Sequence, residues 1–143
     1  MNGDAFFLLA SQWVSPEKSS VSEALCRSAV SRAYYGVFHI ARRLLNEMGF
    51  TFKNENEHER IPQDLMNCRD GEAYEAGRML GDLRTERNRA DYEIDDPQYG
   101  KLQYARTQIA TALDIKVILS AIAQNPKREL VRKGIREYRR IRN

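Results

Sequence analysis

One short segment of the chain concentrates side chains that bind phosphate groups: three arginines within six residues, with an amide, a carboxylate and a phenol beside them. The segment contains Arg84, Arg87, Asn88, Arg89, Asp91 and Tyr92. Guanidinium groups form paired, charge-assisted hydrogen bonds with phosphate oxygens, so this composition suits recognition of a phosphodiester or a nucleotide. Arginine-rich helices are also common on protein surfaces, so the cluster by itself is a weak indication.

Arg87 stands out because it falls on the apolar face of its predicted helix. The apolar positions of that face are Ala73, Ala76, Leu80, Leu83 and Ala90. A guanidinium cannot lose its proton in such a position, so it must be paired or open to a cleft. Asp91, one helical turn later, is the natural partner. Two interpretations stay open: a partly buried Arg87–Asp91 pair that pins a helix end, or a pocket whose fixed positive charge faces a phosphate.

A second polar stripe lies at helical spacing on the longest predicted helix. It consists of Ser28, Arg32, Tyr35, His39 and Arg43. A lone histidine on a helix is more often a structural hydrogen-bonding group than a catalyst, although the neighbouring arginine and tyrosine give His39 polar company. His58 falls in a polar loop, where we expect it to be exposed. Tyr34 and Phe38 are expected in the core or in a dimer contact.

The motifs that the sequence lacks exclude several enzyme classes. It contains no phosphate-binding glycine loop, no HExxH zinc pair, no GxSxG elbow and no glycine-rich dinucleotide turn. With two histidines and no credible nucleophile triad, the chain does not match an ordinary hydrolase. Cys26 and Cys68 lack CxxC spacing, so we expect no metal site and two reduced thiols in a cytoplasmic protein.

The elements that must position these residues are predicted to be helices. An amphipathic helix over residues 4–14 ends at Ser15-Pro16. A capping box at Ser20–Glu23 then begins a long helix, in which the serine hydroxyl and the glutamate carboxylate satisfy free backbone donors. That helix is predicted to reach Met48 and to end at Gly49.

The second half of the chain continues in the same way. A polar loop covers residues 49–58, and a short helix is predicted around residues 60–67. Asp70 caps the helix that carries the arginine segment. The run Asp95-Asp96-Pro97 begins another helix, which the spacing extends to Gln124. Linkers this short favour antiparallel neighbours, so we expect an all-α, up-and-down antiparallel bundle of four to five helices.

The net charge of +3 hides an asymmetry between the body of the chain and its C-terminal tail. From residue 126 onward the net charge is +6, and the rest of the chain carries −3. The tail is predicted to be helical, with Leu130, Ile135 and Tyr138 as its apolar residues. Such a basic segment is typical of contact with a phosphate backbone, and it is also common as a solvated helix end or a partner-docking segment. Its candidate binding residues are Lys127, Arg128, Arg132, Lys133 and Arg136.

Length and composition set the outer limits. The chain has 143 residues, 42% of them hydrophobic and 30% charged, which fits one globular domain and excludes collagen-like, disulfide-scaffold and fully disordered classes. No apolar run approaches the roughly 18 residues that span a bilayer, so we expect no membrane partner.

Two segments together resemble the HEPN family. Residues 31–45, SRAYYGVFHIARRLL, are similar to the long-helix signature of HEPN-domain proteins. Residues 87–92, RNRADY, are similar to the second signature, in the R-x-x-A-D-Y form of one bacterial and archaeal branch. The resemblance covers about residues 4–124 and implies a helical bundle that pairs as a two-fold dimer. On this basis residues 1–125 form the bundle and residues 126–143 form a basic C-terminal helix.

The resemblance also implies a site. Ribonucleases of the family act at the dimer interface without a metal or another cofactor, using an arginine, a polar residue after it and a histidine four to six residues beyond the arginine. By position, Arg87 and Asn88 match the first two. Asp91 or Tyr92 stands where the histidine is expected, and an ordinary aspartate or tyrosine replaces it poorly near neutral pH. His39 or His58 could approach the site instead.

Two functions follow as expectations. The first is a toxin or defence ribonuclease in which Arg87 stabilises the phosphate, the RNA 2′-hydroxyl attacks, and His39, Asp91 or Tyr92 transfers protons. Asn88 would orient the phosphate. Further RNA contacts are expected from Arg32, Arg84, Arg89 and the basic tail. The second is a non-catalytic HEPN module that binds a nucleotide, RNA or a nucleotidyltransferase-type antitoxin.

Overall fold

A computed structural model describes residues 3–15, 21–53 and 56–142 of the chain. All the regular structure in these ranges is helical, which confirms the predicted all-α class. None of the helices there is long and apolar enough to cross a membrane. The helices are α1 (Gly3–Trp13), α2 (Glu23–Glu47), α3 (Glu57–Met66), α4 (Gly71–Tyr92), α5 (Leu102–Ile122) and α6 (Lys127–Arg142).

Local sequence explains where the helices begin. The Asp70 carboxylate accepts a hydrogen bond from the Ala73 amide (2.9 Å) at the start of α4, as predicted. α2 begins later than predicted, because Ser22 is its N-cap and accepts a backbone amide of the first turn. Ser22 therefore takes the role that the sequence suggested for Ser20. Ser20 and Pro16 lie outside the described residues.

The single helix predicted from residue 97 to residue 124 is wrong. Asp96 caps one 3₁₀ turn, Pro97–Gly100, and Lys101 is extended with φ −76° and ψ 144°. α5 begins only after this break. The reason is the crossing of the chain over the start of α2: Gly100 packs directly against the Glu23 side chain, so the backbone changes direction before it can run along the bundle.

α2 is the central helix and packs against α1, α4 and α5. Its contacts with α4 set the relative direction of the two helices. Ser31 of α2 contacts Asp91 of α4, and Tyr35, one turn later on α2, contacts Arg87, one turn earlier on α4. The two helices are therefore antiparallel. The α2 core face follows the predicted stripe, and its fully buried members include Ala29, Ala33, Val37 and Ala41.

α6 packs on the bundle through a face that includes the predicted Ile135 but not the predicted Leu130. Val131 and Ile135 are fully buried, whereas Leu130 is 61% exposed. Gly134 sets this orientation, because a side chain at that position would collide with the Cys68 carbonyl. The helix therefore turns its glycine, rather than Leu130, toward the body of the protein.

One arginine of α6 fastens the segment that leads into α3. Arg139 donates to both carboxylate oxygens of Asp64 (2.7 and 3.2 Å) and to the Thr51 carbonyl (2.9 Å). Its guanidinium also lies 5.0 Å from the ring of Phe50 and 4.9 Å from that of Phe52. Asp64 is fully buried. These contacts hold both the loop before α3 and the body of α3 in place.

Candidate functional site

Arg87 lies where α4 meets α2, and its surface is only 8% exposed. Its Cζ atom is 5.1 Å from the ring centroid of Tyr34 and 5.2 Å from that of Tyr35. Both distances fall within the range of cation–π attraction. The structure therefore buries this arginine on the apolar face of its helix, where the spacing placed it.

The polar contacts of Arg87 are long. Its Nη1 atom is 3.4 Å from the Tyr35 hydroxyl and 3.6 Å from an Asp91 carboxylate oxygen. That oxygen also accepts a 3.3 Å hydrogen bond from the Ser31 hydroxyl. Charge-assisted N–H···O bonds are typically about 2.7–2.9 Å long, so neither contact uses the guanidinium well. The buried Nε atom has no hydrogen-bond partner among the described residues. Arg87 therefore keeps donors available for another acceptor.

Arg84 presents a second guanidinium one turn earlier on α4. Its Nε atom is buried and has no hydrogen-bond partner within the described ranges. Its Nη1 atom lies 3.9 Å from the Glu59 carboxylate, and the Glu59 side chain is 63% exposed. An oxyanion near Arg84 and Arg87 would supply acceptors that the protein does not.

His58 enters this cluster from α3, which corrects its predicted place as an exposed loop residue. Asn56 caps α3 and accepts a hydrogen bond from the His58 amide (3.1 Å), so His58 lies in the first turn of the helix. Its ring stacks on Phe38 with centroids 4.1 Å apart. Its Nδ1 atom is hydrogen-bonded to the Tyr34 hydroxyl at 2.5 Å. Since Tyr34 also lies against Arg87, one tyrosine joins the imidazole to the guanidinium.

The surroundings of His58 keep its ring neutral. Burial lowers its pKa, and the positive charges of Arg84 and Arg87 lower the pKa further. Burial raises the pKa of Tyr34 to about 12, so the phenol keeps its proton. The Tyr34 bond occupies Nδ1, and Nε2 has no hydrogen-bond partner among the described residues. A neutral imidazole held in this way can work through Nε2.

The other residues of the arginine segment are less closely tied to this cluster. Arg89 pairs with Glu86 (2.9 Å) and lies over the ring of Tyr99. Tyr92 is 74% exposed, and its side chain makes no hydrogen bond or ring contact with the described residues. The partly buried Asn88 side chain makes no hydrogen bond in the part of the chain that the structure describes. The structure thus groups the guanidiniums of residues 84 and 87 with Asp91, and leaves Tyr92 outside the group.

His39 belongs to a neighbouring row of rings. It stacks on Phe6 of α1 (centroids 5.7 Å apart, 21° between planes) and on Tyr35 (6.3 Å, 27°). Arg32 lies over the Phe6 ring, with its Cζ atom 5.7 Å from the ring centroid. Burial lowers the pKa of His39, and the charge of Arg42 lowers it further. Through Tyr35, His39 is connected to Arg87 by stacking rather than by a hydrogen bond.

The basic tail uses much of its charge within the protein. Lys127 binds two carboxylates at the start of α4 (2.7 and 3.1 Å), and Arg132 pairs with an acid one turn earlier on α6 (2.7 Å). Arg128 donates to a backbone carbonyl at the end of α5 (3.5 Å). Lys133 and Arg136 are exposed and make no hydrogen bond or ion pair with the described residues. The tail therefore offers fewer free charges than its composition suggests.

Arg27 is a buried arginine outside the set of residues predicted from the sequence. It is 8% exposed, pairs with Glu23 (2.9 Å), and donates to the carbonyls of Ala90 (3.0 Å), Glu93 (3.1 Å) and Asp96 (2.7 Å). These carbonyls lie at and just beyond the end of α4, where no intrahelical donors remain. The spacing of an acid four residues before an arginine was the available signal.

A cleft of about 780 Å³ opens elsewhere, between the start of α1 and the C-terminal parts of α2 and α5. His39, Arg42 and Arg43 are among its lining residues, and Arg87 is not. Within the described ranges, no group of three or more His, Cys, Asp or Glu residues could hold a metal ion. The buried and incompletely paired arginines are therefore grouped around Arg87 and not in this cleft.

Comparison of the chain with protein-family models, curated proteins and solved structures gave no match. The HEPN resemblance stays a prediction from two motifs.

Proposed function

We propose that this chain is a HEPN-type ribonuclease of the toxin or defence kind, which cleaves RNA without a metal through attack of the 2′-hydroxyl. The observation that carries the proposal is the placement of His58 beside the Arg87 cluster. The R-x-x-A-D-Y segment has no histidine, and α3 brings an imidazole to the same tyrosine that Arg87 contacts. An arginine with unused donors and a neutral histidine form a minimal pair for phosphoryl transfer.

The proposed reaction is an in-line transesterification. The 2′-oxygen of one ribose forms a bond to phosphorus, and the bond from phosphorus to the 5′-oxygen of the next nucleotide breaks. The 2′-hydroxyl loses a proton to a base, and the departing 5′-oxygen takes up a proton. The products are a 2′,3′-cyclic phosphate end and a 5′-hydroxyl end. Arg87 and Arg84 would hold the non-bridging oxygens as negative charge develops, a role in which fixed donors are most effective.

His58 suits the proton transfer because its Nδ1 atom is already fixed. When Nδ1 donates to the Tyr34 oxygen, Nε2 has a free lone pair and can act as the base. When Tyr34 donates instead, Nε2 carries a proton and can donate it to a phosphate oxygen. The lowered pKa keeps the ring in its neutral form near neutral pH, the form that can accept a proton.

The remaining site residues have supporting roles in this proposal. Asp91 orients Arg87 from one side while Ser31 holds the same carboxylate. Asn88 would orient the phosphate, and Lys133 and Arg136 would contact the RNA backbone through salt-sensitive charges. In keeping with the HEPN resemblance, we propose a cytoplasmic two-fold dimer with a nucleotidyltransferase-type antitoxin as its partner.

A second candidate, a non-catalytic module that binds RNA or a nucleotide, is favoured by one observation. The Arg87–Asp91 pair already neutralises part of the guanidinium charge, as a binding or structural pair would. This candidate needs the unused donors of Arg84 and Arg87 and does not need His58. The two candidates therefore differ in what removal of the imidazole does.

The test is cleavage of single-stranded RNA and tRNA by the purified chain in EDTA, with helicity and oligomeric state measured for each variant. We expect Arg87→Gln to lower the rate about 100- to 1,000-fold, as loss of one stabilising donor does in other enzymes. Arg78→Gln is the matched control on the same helix, because Arg78 pairs with Glu75 and Asp82 outside the candidate site, and its rate should stay near that of the wild type. His58→Gln should abolish cleavage, whereas His39→Gln should retain most of it.

Cleavage that is unchanged in a folded Arg87→Gln variant would contradict both roles of the arginine. A folded wild type that binds RNA through Arg87 but never cleaves it would favour the second candidate. Cleavage that survives in His58→Gln would show that another group transfers the proton.

A further inference from the structure

A shallow apolar hollow of about 400 Å³ lies on the outer side of α1, where that helix meets α2. Two of its leucines are unusually exposed, Leu8 at 59% and Leu9 at 38%. None of the described residues that line the hollow is acidic. Its lining consists of Ala5, Phe6, Leu8, Leu9, Gln12 and Arg32.

A continuous row of rings connects this hollow with the phosphate-binding candidate. Phe6 stacks on His39, His39 stacks on Tyr35, and Arg87 lies over the face of Tyr35. Each step is between about 5 and 6.5 Å, the usual range for stacked rings and cation–π pairs. The row of rings therefore connects the hollow with the Arg87 cluster along α2.

We propose that this hollow is a base-binding subsite, in which one unpaired RNA base stacks on Phe6 while a neighbouring phosphate of the same strand lies at Arg84 and Arg87. The inference rests on the proposed function and names the form of its substrate: single-stranded RNA with a base turned out of its stack. Arg32 and Gln12 would contact the edge of the base. His39 then serves as part of the stacking row and not as the proton-transfer group.

The chemistry of the hollow favours a base over a second protein surface. Proteins that recognise unpaired bases place aromatic faces and arginine planes side by side, because every base has a flat π-face. Arg32 already lies over the Phe6 ring, makes no ion pair with the described residues, and matches the charge of a polyanionic strand. If a second copy of the same face covered the hollow, Arg32 would face another arginine, and the described lining residues would offer it no carboxylate.

The experiment uses the full chain and a single-stranded RNA oligonucleotide whose 2′-oxygens are methylated, so that it binds without being cleaved. One base is replaced by 2-aminopurine, whose fluorescence is quenched when it stacks on an aromatic ring, and the position is moved along the strand. We expect quenching at one position. Phe6→Leu should remove that quenching and weaken binding roughly tenfold, within the range found for single stacked bases. Phe6→Tyr should retain both.

Charge is tested on the same helix. Arg32→Gln should weaken binding by several fold, and Arg43→Gln is its matched control, an exposed arginine of α2 outside the hollow.

If Arg87→Gln loses binding but Phe6→Leu and Arg32→Gln do not, the subsite is wrong and the proposed function stands. If the wild type neither binds nor cleaves RNA, both fail. If Phe6→Leu converts a dimer to a monomer in light scattering and no base is quenched, a second copy covers the hollow and the subsite is overturned.

Discussion

Arg27 and Arg87 are buried to the same extent between α2 and α4, each 8% exposed, but their hydrogen bonding differs completely. Arg27 donates to one carboxylate and to four backbone carbonyls, the shortest bond being 2.7 Å. Arg87 makes one hydrogen bond of 3.4 Å to Tyr35 and an ion pair of 3.6 Å to Asp91, and its Nε atom has no hydrogen-bond partner among the described residues.

The comparison shows that burial alone does not separate a structural arginine from a functional one. Burial removes both guanidiniums from water, which costs free energy. Only Arg27 offsets that cost with a full set of hydrogen bonds inside the protein. Arg27 also closes the C-terminal end of α4, so it holds the helix on which Arg87 lies. Arg27 therefore stabilises the helix that carries the site, and Arg87 keeps hydrogen-bond donors for a ligand.

Replacement of Arg27 is expected to have the largest effect on the free energy of unfolding. Arg27→Gln removes the donors from the carbonyls at and beyond the end of α4 and should lower the free energy of unfolding by about 3–5 kcal/mol. Urea unfolding followed by circular dichroism measures this. Arg27→Lys should recover little, because one ammonium cannot reach carbonyls that a planar fork spans. A loss below about 1 kcal/mol would contradict the capping role.

Arg139→Gln should have the next largest effect, a loss of about 3 kcal/mol, because it removes a two-bonded salt-bridge partner of the fully buried Asp64 carboxylate. The matched control is Arg140→Gln, which breaks an exposed pair with Glu137 and should cost less than about 1 kcal/mol. Arg139 also holds the loop before α3, so the ring resonances of His58 should shift in the first variant. Unchanged His58 resonances would show that α6 does not position the imidazole.

Tyr34→Phe should cost about 1 kcal/mol, since it removes one hydrogen bond and leaves the ring stacking in place. Its more informative effect is on His58, whose Nδ1 atom loses its partner. Nitrogen-15 spectra of the imidazole should then show a changed balance of the two tautomers. Identical tautomer populations in wild type and variant would mean that Tyr34 does not fix the ring.

The smallest predicted effect is on the pH dependence of stability. The pKa values of His58 and His39 are lowered in the folded chain, so the unfolded chain binds protons first as the pH falls below about 6.5. The stability due to the neutral rings is complete above that pH and is lost as the pH falls toward the lowered pKa values. Urea midpoints between pH 7.5 and 5 measure this loss, and His58→Gln should reduce it. A midpoint that rises on acidification would contradict the sign.

The sequence predicted the parts of this fold that depend on local signals. The cap at Asp70 and the apolar stripe of α2 follow from spacing, and so does the burial of Arg87. The break at Lys101 and the exposure of Leu130 on α6 did not follow, because both depend on another element: Gly100 meets Glu23 of α2, and Gly134 meets the backbone of Cys68. Such tertiary contacts leave no periodic pattern in the sequence.

In the candidate site, too, local features could be predicted from the sequence and tertiary contacts could not. The guanidinium cluster was visible as a run of residues, whereas the place of His58 depends on α3 folding back over α4. The ion pairs of α6 could not be predicted from composition either. Composition gives only the net charge of the tail, whereas the fold pairs Lys127 and Arg139 with carboxylates at the start of α4 and in α3.

The central claim, that Arg87 is kept for a ligand while Arg27 is kept for the fold, is tested most directly by measuring stability and RNA binding on the same Arg87→Gln sample. Titration with an uncleavable 2′-O-methyl RNA oligonucleotide gives the affinity, and urea unfolding gives the stability. We predict a stability within about 1 kcal/mol of the wild type, because only weak contacts are lost, and a loss of most of the RNA affinity. A variant that unfolds several kcal/mol more easily, or one that binds RNA as tightly as the wild type, would contradict the account.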